Sequence, residues 1–168
     1  MIRQTAVLLA AIAVTAPAFA PPAFAQAPLA IKEMSLGLAQ AIAMGAIEQC
    51  RKDGFQVSAT VVNRGGQIMA VLRDDNAGPH TLDSSRRKAY SSATFKTTTA
   101  TLGERVAAAP AAPGSLKDIS DIIVLAGGVP VAIGNIPIGA VGVGGAPTGA
   151  ADEACAKAGI AKVADALK

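Results

Sequence analysis

One stretch, Asp74 to Ser92, gathers the side chains best able to do chemistry. It holds the sole histidine, His80, and the sole tyrosine, Tyr90, with Asp83, Arg86, Arg87 and Lys88 between them. Histidine titrates near neutrality, so His80 is a candidate to move protons or to ligate a metal or haem iron. Arg86, Arg87 and Lys88 suit carboxylates, propionates or phosphates, arginine through paired N–H donors. The competing role for the charges is local pairing. Asp83 precedes Arg86 by three residues and Arg87 by four, the spacing of helix-surface ion pairs.

Other chemistries find less support. A three-histidine zinc site is excluded by the single histidine, and there is no Gly-x-Ser-x-Gly element of a serine hydrolase. The glycines of Gly142 to Pro147 do not meet the dinucleotide fingerprint and read as turn and close-packing residues. Met44 and Met69 are possible soft iron ligands, but both fall at core-type positions. Cys50 and Cys155 either pair, closing a long loop, or stand as two buried thiols.

The elements that must position these residues follow from periodicity. Ser35 is placed to cap a helix whose apolar residues, Leu36, Ala39, Ile42, Ala43, Ala46, Ile47 and Cys50, recur at spacings of three and four before Gly54 ends it. The period then switches to two over Phe55–Val62, and Asn63-Arg64-Gly65-Gly66 turns the chain into a second strand, Gln67–Arg73. Asp74 to His80 reads as a loop turned by Gly78-Pro79, with Thr81 capping a helix from Leu82 to about Phe95. A short helix over Thr98–Ala107 and an alanine-proline loop follow. Three strands are then expected: Ile119–Leu125, Val129–Ile133 and Ile136–Val143, the last two joined at Gly134-Asn135. A final amphipathic helix runs from Gly149 toward Leu167. Hairpins and helices in this order define an α+β domain.

Arg3, the apolar run Ala6–Val14 and Ala23-Phe24-Ala25 form the pattern of a signal peptide cut after Ala25, which predicts a periplasmic or secreted protein. Residues 26–34 then form a flexible leader and 35–168 a single domain. Of 15 basic side chains one, Arg3, leaves with the signal; the 14 that remain against 12 acidic ones give +2. With no basic stripe and no tryptophan, nucleic acid is not an expected partner. No later segment is apolar enough to span a membrane.

Val61-Val62-Asn63-Arg64-Gly65-Gly66, Arg73-Asp74-Asp75, Arg87-Lys88-Ala89, Gly127-Gly128-Val129-Pro130-Val131, Ile138 to Gly145 and Asp152-Glu153-Ala154-Cys155-Ala156 occur in an order and spacing that resemble the GlcG/HbpS family of haem-binding proteins, related also to the C-terminal domain of PduO-type proteins. The resemblance covers Ser35 to Leu167. It implies a profilin- or PAS-like fold with a five-stranded antiparallel sheet, first and last helices packed together, Cys50 close to Cys155, and homo-oligomers. It also links the chain to haem binding, haem degradation, redox sensing and cobalamin or glycolate loci. The reading is a haem-binding protein for storage or sensing, more a binder than an enzyme, with His80, Asp83, Arg87, Lys88 and Tyr90 at the site and His80 on the iron. The alternatives are a small-anion or cobalamin-related sensing module that binds a partner and, behind it, a haem-degrading enzyme.

Overall fold

The computed structural model describes residues 28–109 and 115–168. The expected signal peptide lies outside the described residues. The chain divides into Met1–Ala30 and a compact unit, Ile31–Lys168. Within that unit Met34, at the end of the expected leader, is buried in the core.

Helix α1 (Leu36–Lys52) starts at Ser35, whose hydroxyl accepts the Leu38 N–H, and ends before Gly54 at φ +83°. Its expected apolar face is buried from Ala39 to Cys50, whereas Leu36 stays exposed. Strands β1 (Ser58–Asn63) and β2 (Ile68–Arg73) form the first hairpin. The Asn63 side chain stabilises the turn by accepting the N–H groups of Gly65 and Gln67. Strands β3 (Gly128–Ile133) and β4 (Ile136–Gly144) form the second. Antiparallel pairing of β1 with β4 joins the hairpins in the order β2-β1-β4-β3. Pro130 lies in an edge strand and Pro137 beside a register shift, places where a missing N–H is tolerated.

The described residues thus contain four strands, not five. Ile119–Leu125, expected as a strand, is turn and irregular chain. Two of its backbone groups bond side chains of the second helix, Ile123 N–H donating to Ser91 and Ile122 C=O accepting from Arg87, while Ile122 N–H turns back to Ile119 C=O. Asp121, at φ +68°, breaks the extended run.

The two faces of the sheet carry different residues. Ala59, Val61, Val131, Ile138, Val141 and Val143 pack against α1 and the last helix, α4 (Gly149–Ala161). Cys50 and Cys155 join these two helices in a disulfide, with 5.5 Å between the Cα atoms. Beyond α4 the expected continuous helix tightens into a 3₁₀ turn, Ala164–Leu167.

The opposite face is small and polar and receives α2 (His80–Phe95) at very short range. A Cβ on Gly142 would lie 2.1 Å from Ser85 C=O, and one on Gly128 2.3 Å from Lys88 C=O. Buried hydroxyl pairs, Ser58 with Thr81 at 2.7 Å and Thr60 with Ser85 at 2.8 Å, stand here beside a small apolar cluster of Val62, Ala140, Ala89 and Ala93. Helix α3 (Thr99–Ala108) follows, capped by Thr98.

Candidate ligand-binding cleft

The start of α2 differs from its sequence reading. Thr81 does not cap the helix; its hydroxyl donates to Gly78 C=O and bonds Ser58 on β1, while Pro79, with helical φ near −60°, precedes the first helical residue. His80, expected on a loop, is therefore the first residue of α2 and is solvent exposed. Its imidazole folds back over Gly78, where a Cβ would fall 2.7 Å from Cε1.

From that end the helical repeat places His80, Ser84 and Lys88 on one stripe. The stripe faces the β4–α4 connection and the segment at Leu125-Ala126. Together they enclose a cleft of about 420 Å³, lined also by Gly145, Ala146, Ala150 and Asp152. This is the size of a small-ligand site. The chain can pass this close to α2 because β4 leaves through glycines: a Cβ on Gly144 would meet Ser84 Oγ at 2.4 Å, and Gly145 holds φ +130°.

Lys88 is only 4 % exposed and Asp152 only 3 %. The Lys88 ammonium donates to Asp152 Oδ2 at 2.6 Å, and the Ala146 N–H donates to Oδ1 at 2.9 Å. Burial pushes the Asp152 carboxyl above its ordinary range, against the opposing pull of Lys88 and the Ala146 and Gly145 N–H groups. The pair ties together three elements that no local sequence pattern connects: α2, the β4 exit and α4. Removing one partner of such a pair costs about 3–5 kcal/mol, because the other stays buried without compensation.

The remaining sequence candidates lie on other faces of α2. Asp83 pairs with Arg86 at 2.9 Å, the local pairing its spacing suggests, and Arg86 reaches Asp121 at 2.6 Å. Arg86 holds the Asp121 carboxyl below its usual range. Arg87 donates to Ile122 C=O and lies 3.8 Å from Asp83; its Nε is buried with no partner among the described residues. These residues fasten the segment that carries Leu125 and Ala126 to α2. Tyr90 packs its ring over Gly66 in the β1–β2 turn. Met44, expected at a core position, is 42 % exposed, and Met69 packs against the core; neither lines the cleft. Of the five expected site residues, the cleft thus brings together His80 and Lys88.

Sequence reasoning passed over Ser84, Asp152 and the Leu125-Ala126 wall. Ser84 was accessible to it, since it falls midway between His80 and Lys88 on a helical stripe. Asp152 lies 64 residues from Lys88 and carries no local signal.

Among the described residues no group of three or more His, Cys, Asp or Glu side chains is placed to hold a bare metal ion. One accessible imidazole beside an apolar wall fits a macrocycle that brings its own equatorial ligands, as haem does. No helix among the described residues is long and apolar enough to cross a membrane.

Comparison with known proteins agrees with this architecture. The family model described as haem degrading protein HbpS-like matches residues 34–161. A double mutant of Streptomyces reticuli HbpS is 40% identical, with a TM-score of 0.76, over 86% of this chain and 97% of that one. Klebsiella pneumoniae ORFY is 26% identical, with a TM-score of 0.73, over 84% of this chain and 98% of that one. The structure of a PduOC–haem complex shares the fold at 22% identity and a TM-score of 0.71, covering 78% of this chain and 95% of that one. Among curated proteins, no sequence matches.

Proposed function

Since this chain belongs to the HbpS-like family, we propose that it binds haem in the cleft headed by His80. One observation carries the reading: the sole imidazole stands exposed at the first turn of α2, at the mouth of a cleft walled by Leu125, Ala126, Ala146 and Ala150. His80 would hold the iron of a haem bound there, and those apolar side chains would shield its edge. The iron supplies the redox and gas-binding chemistry. The chain's own contribution is to bind and orient. The haem complex of PduOC supports the ligand class.

The proposal extends to place and role. The N-terminal pattern ending at Ala25 directs the chain to the periplasm or outside the cell, and a disulfide between α1 and α4 suits an oxidising compartment. There it stores or senses haem as a homo-oligomer.

Titration of the mature protein with micromolar haem tests the reading. A shifted Soret band is expected, and His80→Ala is expected to abolish or move it. No shift with wild-type protein overturns haem binding, and an unchanged spectrum in the variant overturns the assignment of His80. Adding an electron donor separates binding from degradation: a binder keeps its porphyrin spectrum, whereas a degrading enzyme loses it.

A further inference from the structure

Lys88 sets an unusual condition at the base of the cleft. Its ammonium has three N–H donors, of which Asp152 takes one, and it has no other hydrogen-bond partner among the described residues. Buried ammonium donors are costly to leave unmatched. The side chain lines the cleft, which leaves the ammonium within reach of an acceptor held there. Ser84, one turn nearer His80, spends its hydroxyl on a long 3.3 Å bond to Thr81 C=O and is free to turn toward a ligand. The Ala146 N–H also holds the Asp152 carboxylate on the β4–α4 side, so Asp152 meets the ammonium through one oxygen, Oδ2.

We propose that Lys88 and Ser84 form a carboxylate-binding floor beneath His80, so that the ligand accepted here carries a carboxylate. Two sources share this chemistry: the acid side chains of a haem and a free small carboxylate. The inference rests on the cleft being the ligand site, and its haem arm rests also on the haem reading. Lysine side chains on a helix lean toward its N-terminus, which carries the Lys88 ammonium toward His80 rather than away from it.

The test compares haem, haem dimethyl ester and sodium acetate as probes of the mature protein. The variants are Lys88→Met with Asp152→Asn, which removes both charges while keeping an acceptor for the Ala146 N–H, and the milder Ser84→Ala. If haem supplies the carboxylate, wild-type protein binds haem about tenfold or more tighter than the diester, the loss expected for a charge-assisted hydrogen bond. The double variant then binds the two alike, and Ser84→Ala narrows the preference. If a free acid is the source, haem and diester bind wild type alike, while acetate shifts the amide resonances of Ser84 and Ala146 saturably in wild type and not in the double variant. Ser84→Ala decides the matter if the double variant does not fold. Equal binding of haem and diester without a saturable acetate response overturns the inference and leaves the haem reading standing. Should no porphyrin bind at all, the haem reading falls and the acetate arm alone decides.

Discussion

Replacing Gly142 by alanine adds one methyl group at the tightest part of the molecule, and the structure gives the size of the effect. The new Cβ would lie 2.1 Å from Ser85 C=O and 2.4 Å from Ala89 N, both backbone atoms of α2. A carbon meets a carbonyl oxygen at about 3.3 Å, so α2 must retreat by about 1 Å. The hydroxyl bonds that hold it to β1, now 2.7 and 2.8 Å, would stretch beyond hydrogen-bonding range. Thr81 and Ser85 keep their bonds to Gly78 and Leu82 C=O, but the Ser58 and Thr60 hydroxyls are orphaned inside the protein. At about 1–3 kcal/mol each, the expected loss is about 2–6 kcal/mol, a large share of the stability of a domain this size. Urea denaturation followed by circular dichroism reads it directly. Gly37→Ala serves as control: no atom lies within 4 Å of its new Cβ, so it should cost no stability. A Gly142→Ala protein within about 0.5 kcal/mol of wild type would refute the claim that α2 is held at contact distance by glycine.

Two further outcomes are expected. Replacing Cys50 and Cys155 together by alanine opens a loop of 105 residues and should lower stability by about 4–5 kcal/mol; wild type in dithiothreitol should fall to the same urea midpoint, and a loss under about 1 kcal/mol contradicts the assignment. Arg51, bonded to Asp74 at 2.9 and 3.0 Å, holds that carboxyl below its ordinary value of 3.8. A depressed pKa contributes stability that is complete above the unfolded value and lost as pH falls through the folded one, so Asp74→Asn should flatten the acid limb below about pH 4. Asp152, shifted upward, has the opposite sign and weakens the fold as pH rises from 3.8 through its raised value; an unaltered acid limb in Asp74→Asn counts against the pairing.

Elements whose cause is local were legible before any coordinates. Ser35 caps a helix because a hydroxyl needs only the N–H three residues ahead, and Asn63 to Gly66 and Gly134-Asn135 turn hairpins through their own backbone preferences. Where a side chain answers to a distant partner, local reasoning failed. Thr81 looks like a cap until Ser58 claims it, and Ile119–Leu125 looks like a strand until Arg87 and Ser91 bind its backbone.

The same division runs through the cleft. The amino-acid order alone determined that His80 is the sole imidazole, that it opens a run of charge and hydroxyl groups, and that Arg86 finds Asp83 within one turn. Only the tertiary structure decided that Lys88 turns inward to Asp152 while Arg87 turns to Ile122, and that Tyr90 leaves the cleft for Gly66. The reason is physical. Spacing along a helix states which residues share a stripe, but burial decides which stripe becomes a site, and burial depends on where β4, α4 and the Leu125 segment come to rest.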